Sequence, residues 1–315
     1  MPDMHFPVHP EQSSRLGSPN GVRVREDTLY TNHKGQEKSG VRKRADKTID
    51  KLQEILRKAL GPEEVVLYTA RCQAPASAFE QFTFGWYIYY VTATMLVFTN
   101  RRLLLFQLKR DGSWKKILRA VVWGDVEEAK VKGWLSRTLQ IKYRNGKKET
   151  YWGLGWGNAK KIRVLLEALF SLGAGETSAA GGIVPLCPHC LAELTPRVYE
   201  CHNCKLTFKN EKTMVRRSLL IPGGGYFYVG HWFLGLGDFI LEAILLCWTL
   251  MFAWAAGLAI MKLPVQSLQG QPEPAPEPAA VYLLCAGFFA FILTIEKLMT
   301  IHHCRRFIRE FIPKE

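Results

Sequence analysis

Three catalytic signatures are missing from this 315-residue sequence. No glycine-rich phosphate loop sits between a strand and a helix. No serine, histidine and aspartate are set out for nucleophilic catalysis, and no His/Glu metal motif lies on a helix. These absences point to a non-catalytic protein with no small-molecule substrate. The opening residues, MPDMHFPVHPEQSSR, lack the apolar run of a secretory signal, so the soluble part is expected in the cytosol. Acidic residues are scarce relative to basic ones, 28 against 42, for a formal charge of +14. The surplus is local: residues 61–175 hold 18 Lys and Arg against 9 Asp and Glu, whereas residues 218–315 hold 6 against 7. A basic surface attracts anionic lipid headgroups, nucleic acid or acidic proteins, and charge by itself does not choose among them.

Four of the eight cysteines, Cys72, Cys247, Cys285 and Cys304, are scattered without a pairing pattern. The other four form two Cys-x-x-Cys pairs in CPHCLAELTPRVYECHNC, with a ten-residue spacer. Each pair can turn as a knuckle that points two thiolates at one metal, and four soft anionic sulfurs suit Zn²⁺. The metal ligands are thus Cys187, Cys190, Cys201 and Cys204. Disulfides fit less well, because nothing else suggests secretion. A redox Cys-x-x-Cys opens a helix in a βαβ setting, which is missing. His189 and His202 lie inside the knuckles and are alternative ligands, and iron is an alternative metal. The stretch resembles a zinc ribbon, with Leu206 and Phe208 as its apolar props. Ribbons and rubredoxins often carry glycine after the second knuckle, where this chain has Lys205. The resemblance implies a structural site whose metal supplies the folding free energy of a small unit.

Residues 1–45 are poor in aliphatics and rich in Pro, Ser, Gly and charge, the composition of a disordered basic tail. It ends in the basic patch VRKRADK, residues 41–47. Residues 46–61 predict an amphipathic helix, with Ile49, Leu52, Leu56 and Leu60 on one stripe and Gly61-Pro62 as the stop. From residue 62 to residue 173 the pattern is strands and turns, then one helix. The aromatic and β-branched run 82–98 predicts strand. Asp111-Gly112 and Asn145-Gly146 predict hairpin turns, and Ile162, Leu165, Leu166 and Leu169 a closing helix. The segment LVFTNRRLLLFQL, followed by Val122-Trp123-Gly124-Asp125-Val126, resembles bacterial pleckstrin-homology-like domains. That resemblance implies an antiparallel barrel closed by a C-terminal helix, serving binding and not catalysis. It also implies ligand or lipid contact through turn cations. The candidates are Arg101, Arg102, Lys109, Arg110, Lys115, Lys116, Lys147 and Lys148, with anionic lipid headgroups or a cytosolic protein as partner. Structurally, Arg101 and Arg102 are also well placed merely to solvate a turn.

Residues 174–186 read as a linker and 187–210 as the ribbon. Residues 218–237 contain PGGGYFYVG and resemble the glycine-rich entry of small two-helix membrane modules. An interfacial or re-entrant segment is expected there, with Tyr226, Phe227, Tyr228 and Trp232 at the headgroup boundary. Residues 239–261 and 279–301 are each long enough to span a bilayer as a helix. Glu242 and Glu296 lie near the ends of these spans, where they are expected to reach water. The loop between the spans is Pro-rich and acidic, without Lys or Arg after Lys262, while Arg216-Arg217 and Arg305-Arg306 flank the pair. The positive-inside rule puts both ends in the cytosol, with residues 302–315 as a basic tail. The expected fold is multidomain: mainly antiparallel β, a small zinc ribbon, then an α-helical transmembrane hairpin, as in a protein of the bacterial cytoplasmic membrane. Two other functions stay open. One is a membrane-tethered nucleic-acid-binding zinc-ribbon protein. The other is an iron-binding, rubredoxin-like redox protein.

Overall fold

A computed structural model describes residues 16–134, 136–171, 177–262 and 279–314. The chain divides into two units, Met1–Thr207 and Phe208–Glu315. The expected tail at 1–15, the loop between the two apolar segments and part of the expected linker lie outside the described residues.

In the first unit the elements run β1 (Leu16–Gly17), β2 (Val24–Arg25), α1 (Glu26–Leu29), α2 (Ser39–Ala59), β3 (Val66–Gln73), α3 (Ala78–Phe84), α4 (Ile88–Val91), β4 (Ala93–Thr99), β5 (Arg102–Leu108), β6 (Trp114–Val122), β7 (Val126–Lys132), β8 (Arg137–Tyr143), β9 (Lys148–Leu154), α5 (Trp156–Ser171) and β10 (Val184–Leu186). The strands pair in the order β10-β6-β5-β4-β3-β9-β8-β7. Apart from a single parallel bridge between β2 and β3, the pairings are antiparallel. The expected antiparallel domain with a late helix is present, but its sheet is not closed. β3 meets β9 through one residue pair, Gln73 and Trp152, and β6 and β7 do not pair.

The apolar run at LLLF follows from burial of these strands on both faces, which removes the polar half of the usual alternation. Leu103 and Leu105 turn into a core with Phe98, Tyr143 and the α5 residues Ile162 and Leu166. Leu104 and Phe106 turn the other way, into a core with Ile49, Leu52 and Leu56 of α2. The helical stripe expected at 46–61 is therefore real, but the helix begins at Ser39 and takes in the basic patch. The expected disorder over 1–45 does not hold for residues 16–45: Val22, Val24, Leu29 and Tyr30 are buried against the α2 side of the sheet. Isolated apolar residues in a polar stretch gave no periodic signal to find. Two further corrections have local causes. Residues 82–98 are not one strand, because a capping box between Ser77 and Glu80 starts α3. The expected linker 174–186 ends as β10, paired to β6. Its Ser178 N–H donates to the fully buried Asp125 at 3.0 Å.

The Thr-Asn-Arg-Arg turn is a lock. Arg102 donates twice to Glu64, both at 3.0 Å, and to the Ala59 carbonyl at 2.6 Å. Glu64 is 2% exposed and also accepts from the Thr99 hydroxyl at 2.7 Å. The pair fixes the end of α2 to the β4–β5 turn with the geometry of a bidentate charge-assisted contact. Removing one partner strands the other charge, at a cost of about 3–5 kcal/mol. Arg102→Ala is expected to destabilise the first unit by that order in urea unfolding, with Glu64→Gln in the same background restoring part of the loss.

Lys161 of α5 is a buried cation, donating to Thr31 Oγ1 at 2.6 Å and to the Asn32 carbonyl at 3.3 Å. Burial lowers its pKa to about 8, and Asp27 opposes this only in part. The unfolded chain therefore binds more protons at this site between pH 8 and about 10.5. Stability contributed here should rise across that window and be flat below it. Unfolding midpoints of the protein and of Lys161→Met, compared from pH 7 to 10.5, should differ by a term that shrinks as pH rises.

The second unit is helical: α6 (Glu211–Leu220), α7 (Gly224–Val229), α8 (Trp232–Lys262) and α9 (Ala279–Ile308). Two stretches, Trp232–Met261 and Ala279–Ile308, are long and apolar enough to cross a membrane, and only 11% and 6% of their most apolar windows are buried. They pack through aromatic contacts such as Trp248 with Phe289, 4.8 Å between centroids. The glycine-rich segment is a packed joint. A Cβ on Gly223 would stand 2.2 Å from the Gly235 carbonyl, and that residue also holds φ at +64°. Tyr226, expected at a headgroup boundary, is buried with its hydroxyl 3.0 Å from His303 Nδ1. Six residues of α7 are too short to span. The expected free tail 302–315 begins inside α9. Cys304, Phe307 and Ile308 are buried, and Phe208 pairs with Pro313 and meets the Phe311 ring edge-on. Phe208 is thus packed within this unit. Glu242, expected to reach water, is 1% exposed.

Candidate metal centre and basic groove

The four cysteines of the two knuckles converge. One sulfur from each of Cys187, Cys190, Cys201 and Cys204 lies within 4.8 Å of every other. Cys187 and Cys204 approach to 3.6 Å, and Cys190 and Cys201 to 3.5 Å. A disulfide requires about 2.05 Å, and all four are free thiols. Metal–sulfur bonds of about 2.3 Å in a tetrahedron place the sulfurs about 3.8 Å apart, close to the spacing found. His189 and His202 are not in the cluster.

The two knuckles have the same backbone. Leu191 N–H returns to the Cys187 carbonyl at 2.9 Å, and Lys205 N–H to the Cys201 carbonyl at 3.0 Å. Cys187 N–H then reaches the Ala192 carbonyl and Cys201 N–H the Leu206 carbonyl, each at 2.9 Å. This tight turn forces a left-handed residue after each knuckle, Leu191 at φ 63° and Lys205 at φ 60°. Glycine would occupy either position without strain, so the Lys205 departure noted in the sequence leaves the geometry intact. Burial pushes the Cys187 thiol up to about 12, against the backbone N–H groups of Cys190 and His189. Burial also acts upward on Cys190. There the Ala192 N–H and the neighbouring thiols outweigh it, bringing the group down to about 7. The knuckles hang on the sheet through β10, which ends at Leu186 next to Cys187. Leu194 N–H bonds the Pro185 carbonyl at 2.9 Å.

The expected contact cations do not form one site. Arg101 and Arg102 pair with Glu63 and Glu64. The seven residues of β5, roughly 23 Å of strand, separate them from Lys109, Arg110, Lys115 and Lys116 on the β5–β6 hairpin. Arg110 lies over the Tyr90 ring, and Lys115 donates to the Val91 carbonyl at 3.4 Å. Lys147 and Lys148 are exposed at the β8–β9 turn. A different set does converge. A groove of about 730 Å³ between α2, β3 and the start of α5 is lined by Arg44, Lys47, Lys51 and Arg71. Lys51 donates to the Asp111 carbonyl at 3.0 Å, which brings the β5–β6 turn to its edge. His33, also in the lining, is held below the usual imidazole range, first by burial and then by Lys160, Lys34, Lys38 and Lys161. The patch at 41–47 was the available signal. Its helical phase, which sets Arg44, Lys47 and Lys51 on one side, needed the longer α2 to be seen.

No protein-family model and no curated protein matches the chain. Among solved structures it is similar to the crystal structure of the C-terminal domain of an unknown protein from Leishmania infantum. That likeness has 7% identity and a TM-score of 0.26, and covers 41% of this chain and 98% of the other.

One zinc or iron ion per chain is the expected result of elemental analysis on purified protein. Cys187→Ser or Cys204→Ser should lower that content well below half an equivalent while leaving the Trp fluorescence of the sheet unit unchanged.

Proposed function

We propose that this chain is a membrane-anchored, zinc-binding, non-catalytic adaptor. Its pleckstrin-homology-like sheet domain meets an anionic surface, either lipid headgroups or an acidic protein. The observation that carries the reading is the outer surface of α8 and α9. Trp248, Leu250, Met251, Trp254, Leu284 and Phe288 are all exposed large apolar side chains. Large apolar side chains exposed along both helices are what a bilayer would cover, and a soluble monomer gathers few of them in one place. Zinc fits the four-sulfur set, as does iron, and the two differ in colour. In this reading both ends of the chain face the cytosol and the zinc ribbon is a rigid connector. The basic groove supplies the anion-attracting face, and each Lys or Arg near an anionic leaflet contributes about 1 kcal/mol.

Full-length protein is expected to stay in the membrane fraction after alkaline carbonate extraction. The fragment 16–207 should pellet with vesicles containing anionic lipid and release as salt rises. The Arg44→Glu, Lys47→Glu double variant should lose most of that binding. Extraction of the full chain into the soluble fraction would sink the anchor, and binding indifferent to lipid charge would sink the electrostatic mechanism. Salt-sensitive retention on nucleic acid in place of vesicles would move the function to the nucleic-acid class.

A further inference from the structure

The helical unit holds a second cluster, which the adaptor reading does not use. Asp238 and Glu242 are one turn apart on α8 and so share a face, and Glu296 meets them from α9. A carboxylate oxygen of each lies within 4.8 Å of the others. The environment is buried: Glu242 is 1% exposed and Asp238 9%. It is also built. Lys297 Nζ donates to Glu242 Oε2 at 2.6 Å and to the Ser218 carbonyl at 2.7 Å. The Gly223 N–H donates to the same Oε2 at 3.0 Å. The Thr300 hydroxyl lies 3.2 Å from both Asp238 oxygens and 3.4 Å from Glu296 Oε1.

What these donors leave over is specific. Glu242 Oε1 and Glu296 Oε2 are buried and have no hydrogen-bond partner among the described residues. They come from opposite helices. A buried, unpartnered carboxylate oxygen is costly, and one such orphan in a folded protein calls for an ion, a water or a proton. Here there are two, at one cluster. The charge count points the same way. Three carboxylates face one ammonium, Lys297, which leaves a formal deficit of two positive charges. One divalent cation balances it. The donors are all oxygen, the preference of hard cations such as Mg²⁺, Mn²⁺ and Ca²⁺, and unlike the four-sulfur centre.

We propose that Asp238, Glu242 and Glu296 bind one hard divalent cation. Bound there, the ion clamps α8 to α9, and the Gly223 N–H on Glu242 extends the clamp to the start of α7. The site is independent of the cysteine centre and does not rest on the adaptor reading.

The test uses the full chain in detergent, with its cysteine centre loaded with zinc beforehand, and Mn²⁺ as the probe. Loss of the free Mn²⁺ electron-paramagnetic-resonance signal on titration gives the stoichiometry. About one Mn²⁺ per chain is expected, displaced by excess Ca²⁺ or Mg²⁺ and accompanied by a rise in the thermal midpoint of the helical unit. Glu296→Gln, at the less buried position, should weaken Mn²⁺ binding on the order of 100-fold and abolish the thermal shift. Glu242→Gln should do the same if it folds. Cys187→Ser should change neither. The proposal is overturned if the wild-type chain takes up no Mn²⁺ and shows no thermal shift with Ca²⁺ or Mg²⁺. It is equally overturned if Glu296→Gln binds Mn²⁺ as the wild type does. A chain without Mn²⁺ binding in which Glu296→Gln raises stability would identify shared protons as the occupants instead.

Discussion

Burial of β4, β5 and β6 on both faces is the constraint from which the first unit follows. A strand reading LLLF cannot leave one side to water, so each side of the sheet needs a cover. The α5 side receives the closing helix and the strands β7–β9. The other receives α2, with residues 22–30 packed beside it. Glu64 and Arg102 hold the α2 cover in register, because their contact ties the end of that helix to the turn where β5 begins. The basic groove is a by-product of the same arrangement: α2 lies along the sheet with its apolar stripe inward and Arg44, Lys47 and Lys51 at its margin.

The parts of the fold that were legible in the sequence are those with a local physical cause. Two Cys-x-x-Cys pairs declare their geometry by spacing, and all four cysteines meet. Asn145-Gly146 declares a turn, and Gly146 holds φ at +78° as that turn requires. The stripe on α2 and the two apolar segments were visible because periodicity and length are properties of the chain itself. What stayed hidden depended on partners distant in sequence. Val184 to Leu186 read as linker because three residues carry no period, and they are a strand only because β6 offers an edge. Arg101 and Arg102 carry two readings in the sequence, ligand contact or a solvated turn, because their partners Glu63 and Glu64 lie nearly forty residues away. Glu242 looked able to reach water because its distance from a helix end can be counted, whereas the packing of α6 and α7 around it cannot.

In the second unit, glycine allows helices to touch where side chains would hold them apart. A Cβ on Gly224 would stand 2.3 Å from the Arg217 carbonyl, and one on Gly225 would stand 2.3 Å from Ser218 Oγ. This close approach carries the Gly223 N–H to Glu242 and Ser218 to Lys297. The glycine run thus brings backbone donors and acceptors to charged side chains that would otherwise be stranded in an apolar pair of helices.

The sheet has two free borders, and they are guarded by different means. β7 carries Glu127, Glu128, Lys130 and Lys132 along its length, a charged fringe that discourages pairing with another chain. β6 is instead covered over Leu118, Arg119 and Ala120 by the three residues of β10. That mask is held at one end by the knuckle that starts at Cys187. The strand that covers this border therefore leads directly into the first of the four clustered cysteines, so edge protection and the cysteine cluster share one stretch of chain.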